Sequence, residues 1–132
     1  MRRQGRETAL QILFQVEFAT RISYHDFLSL FEESVPKGAV EYADLLVSGV
    51  KDRQQDIDAI IQSASAHWSL SRMSLVDKNI LRLAVFEMKY SEELIKPSIA
   101  INEAIEIAKK YGTTESAAFV NGILDFIAKS KI

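Results

Sequence analysis

A chain of 132 residues, 48% hydrophobic and 26% charged, is long enough to bury a core and too apolar to stay disordered. With no cysteine it has neither disulfides nor thiolate metal ligands, and a net charge of −2 means that attraction to a polyanion has to come from a local patch. The opening MRRQGRETAL lacks the apolar stretch of a signal peptide, and no apolar run could span a bilayer, since even ILRLAVFEM holds Arg82; a cytoplasmic protein that enters no membrane is expected.

Only five glycines and two prolines interrupt the chain, and apolar residues recur at helical spacing throughout, so the pattern predicts an all-α protein of about seven helices. The first covers about residues 3–20, with Leu10, Leu13, Phe14 and Phe18 inward and Gln11 and Gln15 toward water. A second, about 24–33, carries Phe27, Leu28 and Phe31; Pro36 blocks its continuation because proline lacks the N–H. The third, about 37–52, turns Tyr42, Leu45, Leu46 and Val50 inward. KDRQQD is polar all round, and the pattern leaves open whether the next stretch, with Ile57, Ile60, Ile61 and Ala64 up to about residue 67, is a separate helix.

After the linker WSLSRM, Ser74 opens a fifth helix with Asp77 three residues on, a capping-box variant in which the carboxylate would accept from the N–H of Ser74. Val76, Ile80, Leu83, Ala84 and Met88 form its core face to about residue 90. The sixth helix, about 98–111, is expected to end on Gly112 in a left-handed cap. The seventh, about 114–129, presents Phe119, Val120, Ile123, Leu124 and Ile127. No segment alternates with period two, so no sheet is expected.

Catalytic signatures are missing. There is no P-loop, His25 and His67 have no ligand-spaced neighbours, and no strained nucleophile turn accompanies the serines. The expectation is a protein with no enzymatic activity, no metal and no cofactor.

Arg2, Arg3 and Arg6 lie within one to two helical turns, so a helix would gather three guanidinium groups suited to phosphates and unpaired bases; the plain alternative is a solvated terminus. Asp77, Lys78 and Arg82 are expected on the outer side of the fifth helix, whereas Glu87 falls nearer its apolar face and needs a partner. Asn102 and Asn121 read as buried amides bonding between helices, and Gly122 as a point of close helix approach. Trp68 is either a core plug or an exposed docking ring, and the pattern does not decide.

The strings VDKNILRLAVFEM, AINEAIEIAKKYG and FVNGILD, in that order, together with the start RRQGRETALQILFQ, resemble the signature of the NusB family over nearly the whole chain. The resemblance implies a single NusB-like domain, residues 1–132, made of an N-terminal three-helix bundle (about 1–53) and a C-terminal four-helix bundle (about 54–132). It implies a non-catalytic transcription antitermination factor. Such a factor binds single-stranded boxA-type RNA with the small-subunit ribosomal protein NusE, joins other Nus factors on transcribing RNA polymerase, and supports ribosomal RNA operons. Some family members form homodimers. On this reading Arg2, Arg3, Arg6 and Phe119 contact RNA, and Asp77, Lys78 and Arg82 the protein partner. Two departures stand out: Gln4 and Gly5 replace residues that are often Arg and Ala, and Ala118 stands where relatives can have lysine. Glu115 at the start of the last helix would oppose a phosphate there. The alternatives are a helical protein-docking module whose arginines are incidental, or the detached NusB-like domain of a ribosomal RNA methyltransferase; no glycine-rich cofactor segment follows the helices.

Overall fold

A computed structural model describes residues 2–18, 26 and 34–130. Among them are six α-helices and no strand: α1 (Arg2–Phe18), α2 (Lys37–Asp52), α3 (Gln54–Ala64), α4 (Leu75–Lys89), α5 (Pro97–Tyr111) and α6 (Ser116–Lys129), with a 3₁₀ turn at Leu70–Arg72. The helix expected at about 24–33, with Phe27, Leu28 and Phe31, lies outside the described residues except for Asp26. The polar KDRQQD segment does break the chain: Arg53, at φ −114° and ψ 15°, separates α2 from α3.

The core runs through every helix, from Ile12 and Leu46 to Ile61, Leu81 and Ile127. α1 lies mainly on α2 and also on α4, while α4 packs against each of the others. Every residue of α4 from Asn79 to Met88 is therefore buried, polar ones included. Two helix faces differ from expectation. Phe18 and Leu45 are 73% and 46% exposed, while Ala9 and Ile12 on α1 and Ala39, Ala43 and Val47 on α2 take the inner positions.

The glycines work by space rather than by backbone sign, since none of the described residues has a positive φ. A Cβ on Gly5 would lie 2.9 Å from Tyr42 Cδ2 and 3.1 Å from the Ala39 carbonyl, so its small size lets α1 lie close on α2. Gly112 does end α5, but with extended backbone (φ −94°, ψ −168°) and not in the left-handed cap expected. A Cβ there would meet Ser116 Oγ at 2.4 Å. Gly122 corrects a further expectation: nothing lies within 4 Å of where its Cβ would be, so it makes no close helix approach. Asn102 and Asn121 are both exposed, and the buried amide is that of Asn79, bonded to the Leu75 carbonyl at 2.9 Å.

Candidate nucleic-acid interface

The three N-terminal arginines do not share one exposed side. Arg6 is 4% exposed, and its Nε donates to both carboxylate oxygens of Glu87 at 2.9 and 3.0 Å. Its Nη1 donates to Glu103 at 2.9 Å. The Tyr42 hydroxyl also donates to Glu87, which thus finds the partners its place on an apolar face demanded. Burial opposes the charge on Arg6, but the hydrogen bond and charge of Glu87 outweigh it and leave the pKa raised. The structure does not leave Arg6 on the exposed side expected for a phosphate contact: it is buried, and its Nε and Nη1 are engaged by two carboxylates inside the protein. The physical reason is helical phase, since position 6 shares the inner face of α1 with Ala9 and Leu13.

Arg2 and Arg3 remain at the surface. Arg3 Nη2 lies 2.5 Å from Glu103, with a side chain 55% exposed. Arg2 sits over the Tyr42 ring at 5.4 Å and 3.7 Å from Glu93.

Arg82 repeats the pattern of Arg6 at the other end of α1. It is 5% exposed, pairing through Nε and Nη2 with Asp58 at 2.8 and 3.0 Å and through Nη1 with Glu17 at 2.8 Å. Lys78 Nζ reaches Glu17 at 2.5 Å. The placement of Lys78 and Arg82 on the outer side of their helix is thus corrected, because α1 and α3 cover that side and supply carboxylates to it.

Asp77 is different. Its backbone N–H donates to Ser74 Oγ at 3.0 Å, the expected cap. The reciprocal half of the box is not made: Asp77 Oδ1 is buried without a hydrogen-bond partner, alone in this among the described residues.

Asp77 lines a groove of about 330 Å³ together with Trp68, Arg72, Ser74, Glu115 and Phe119. Trp68 is 54% exposed, so it is no core plug. Its backbone is nevertheless held: the Trp68 carbonyl accepts from Ser65 Oγ at 2.8 Å and Gln62 Nε2 at 3.1 Å, and Gln62 Oε1 takes the Leu70 N–H at 2.8 Å. Phe119 is half-buried against the core with part of its ring in the groove. The Glu115 carboxylate lies below its usual pKa through hydrogen bonds from Thr114, its own N–H and Thr113. It stands at the start of α6, where its charge opposes a phosphate, as expected.

A second groove, of about 380 Å³, runs between α1 and α4 and is lined by Leu10, Gln11, Phe14, Gln15, Val76 and Tyr111. Its rim is braced where Tyr111 receives a hydrogen bond from Gln11 at 3.1 Å and donates to Glu7 at 2.8 Å. Val76 in this groove and Asp77 in the other are consecutive, so the first turn of α4 divides an apolar surface from an aromatic one. Sequence reasoning missed Gln62 and Ser65, whose role depends on a turn no periodicity reveals, and Arg72.

Among the described residues no helix is long and apolar enough to cross a membrane, and no group of three or more His, Cys, Asp or Glu could hold a metal ion. The transcription antitermination protein NusB of Bdellovibrio bacteriovorus is 57% identical over 129 residues, spanning 98% of this chain and 96% of that one. Its counterpart from Myxococcus xanthus is 45% identical over 132 residues, spanning 96% and 94%. The solved structure of T. maritima NusB superposes with a TM-score of 0.89 at 43% identity, covering 98% of this chain and 92% of that one. A structure of the antitermination factors NusB and NusE in complex with double-stranded RNA contains a chain that superposes at 0.82, with 31% identity and coverage of 97% and 96%. The family model described as NusB matches residues 3–129, the span that holds both buried arginine clusters and both grooves, and the chain belongs to the NusB family.

Proposed function

We propose that this chain is a non-catalytic, cytoplasmic transcription antitermination factor that binds single-stranded boxA-type RNA together with a NusE-type ribosomal protein. In this reading it joins other Nus factors on transcribing RNA polymerase at ribosomal RNA operons. The observation that carries it is the pair of grooves meeting at the first turn of α4, one apolar and one aromatic. Leu10, Phe14 and Val76 offer the protein partner a desolvated anchor of the kind that dominates interface energetics. Trp68 and Phe119 offer RNA a stacking surface, and bases splayed from single strands are held by stacking on aromatic rings. Partner and RNA would then lie side by side, which accounts for joint binding.

Of the three N-terminal arginines, Arg2 and Arg3 are the two free to turn toward phosphate, at the cost only of surface ion pairs. Arg6 and Arg82 are assigned to holding α1 in place, and Lys78 with them. The N-terminal (about 1–53) and C-terminal (about 54–132) bundles act in this reading as one body, joined by those two clusters.

Fluorescence anisotropy of labelled boxA-type RNA, with and without purified NusE, tests the proposal. RNA should bind, and bind more tightly with NusE. Changing Arg2 and Arg3 to Ala should reduce the salt slope by about 0.7 for each phosphate that the arginines neutralise. Absence of RNA binding under both conditions would leave only a protein-docking module.

A further inference from the structure

We propose that Glu7 is a positioning residue linking the arginine surface to the apolar groove: one oxygen of its carboxylate holds both Lys110, a further phosphate contact, and Tyr111, a wall of the groove. The inference rests on the reading above and deepens it by naming a route through which RNA and the protein partner favour each other.

Side chains bridge α1 and α5 at two levels. Arg3 Nη2 meets Glu103 at 2.5 Å, and Lys110 Nζ meets Glu7 Oε1 at 2.6 Å. Arg3 and Glu7 stand one turn apart on α1, and Glu103 and Lys110 two turns apart on α5, so the order of charge is opposite on the two helices. The seam therefore carries a cation at each end. The side chains of Arg3 and Lys110 are 55% and 60% exposed, whereas those of Glu103 and Glu7 are 18% and 17% exposed. A polyanion laid along the seam meets the cations first, and Lys110 extends the basic surface of Arg2 and Arg3 toward the groove.

The same Glu7 oxygen accepts from the Tyr111 hydroxyl at 2.8 Å, and the Tyr111 oxygen accepts from Gln11 Nε2 at 3.1 Å. Tyr111 and Gln11 both line the apolar groove. Burial opposes the charge of Glu7, but hydrogen bonds from Lys110 and Tyr111 outweigh it and leave its pKa lowered, so the carboxylate is ionised at neutral pH. Two donors thus compete for one anionic oxygen. A phosphate draws Lys110 away cheaply, because the pair is exposed on the lysine side. Glu7 then bonds Tyr111 alone, and a hydrogen bond to an ionised acceptor without a rival is the stronger one. Tyr111 is only half-buried, so that bond decides how firmly the groove wall stands before the partner arrives. By linkage, a partner that seats against the fixed ring strengthens RNA binding by the same factor.

Anisotropy of labelled boxA-type RNA, with and without saturating NusE, tests the link. Lys110→Gln should lower the salt slope by about 0.7, the share of one phosphate. Glu7→Gln keeps an acceptor for Tyr111 but releases Lys110, and should tighten RNA binding without NusE by about two- to five-fold. In Lys110→Gln, Glu7→Gln and Tyr111→Phe alike, the factor by which NusE raises RNA affinity should fall below that of the wild type. Glu106→Gln is the control: it removes an equal charge from the same helix, one paired with Lys109, and should leave that factor unchanged. An unaltered salt slope in Lys110→Gln would overturn the phosphate contact. A wild-type factor in Tyr111→Phe and Glu7→Gln, or an equal fall in Glu106→Gln, would overturn the link and leave the RNA-binding reading standing. Absence of RNA binding by the wild type, with or without NusE, would overturn both.

Discussion

Arg6 offers the sharpest test, because an RNA contact and an internal anchor predict opposite outcomes for Arg6→Ala. The side chain is 5% exposed and its partner Glu87 2%, and three N–H···O contacts of 2.9–3.0 Å join Arg6 to Glu87 and Glu103. Removing it leaves the Glu87 carboxylate buried with the Tyr42 hydroxyl and without a cation. Breaking one side of a buried ion pair costs about 3–5 kcal/mol, since the remaining charge keeps its desolvation penalty. For a chain of this size that lowers the melting temperature by roughly 10–20 °C. A solvated arginine would change stability by no more than about 0.5 kcal/mol. Thermal denaturation followed by circular dichroism reads the difference, with Arg3→Ala as the surface control. Arg6→Ala combined with Glu87→Gln should recover part of the stability, because the orphaned charge is gone. An Arg6→Ala protein that melts with the wild type would refute the anchor and return Arg6 to the RNA surface.

Gly49→Ala should destabilise by about 1–3 kcal/mol in a urea titration, because its Cβ would lie 2.2 Å from Cε1 and Cζ of the buried Phe86. Gly122→Ala should act in the opposite sense and raise stability by up to about 1 kcal/mol, as an exposed mid-helix glycine with nothing near its Cβ loses only backbone freedom. The melting temperature should fall as the pH drops below the ordinary carboxylate value of 4.5. Glu103 is lowered chiefly by the hydrogen bond from Arg3, so its contribution is complete above that pH and disappears as it protonates at its lower folded-state pKa. Glu103→Gln should weaken this acid dependence, and a melting temperature flat from pH 6 to 3 would contradict it.

Helix positions were legible in the sequence because proline, glycine and serine punctuate them and apolar residues repeat every third or fourth position. Ile57, Ile60 and Ile61, or Val120, Ile123 and Leu124, read directly as buried faces, and they are. Periodicity failed where a helix is covered on every side. In α4 the polar residues Asn79, Arg82 and Glu87 fall between apolar ones, and a pattern assigns such positions to water unless carboxylates and arginines from other helices are known to be waiting. Glu87 could be flagged from its phase, but its partner could not be named. At the site, Phe119 and Asp77 could be singled out from their motifs. The groove they line depends on Trp68, whose position is set by the side chains of Gln62 and Ser65, and no linear pattern encodes such a clamp.

The ion pairs of Arg6 also bear on how the chain matures during its synthesis. Its carboxylates come 81 and 97 residues later, so the first helix leaves the ribosome long before the groups that will neutralise it exist. At typical elongation rates of 5–20 residues per second, that interval is roughly 5–20 s. Throughout it the nascent N-terminus carries all three arginines unpaired by those partners, beside a particle made largely of RNA. Arg6 can withdraw from the surface only once α4 has delivered Glu87, and α5 completes its pairing with Glu103, so the burial of that one charge reports that α1 has docked on the helices made after it.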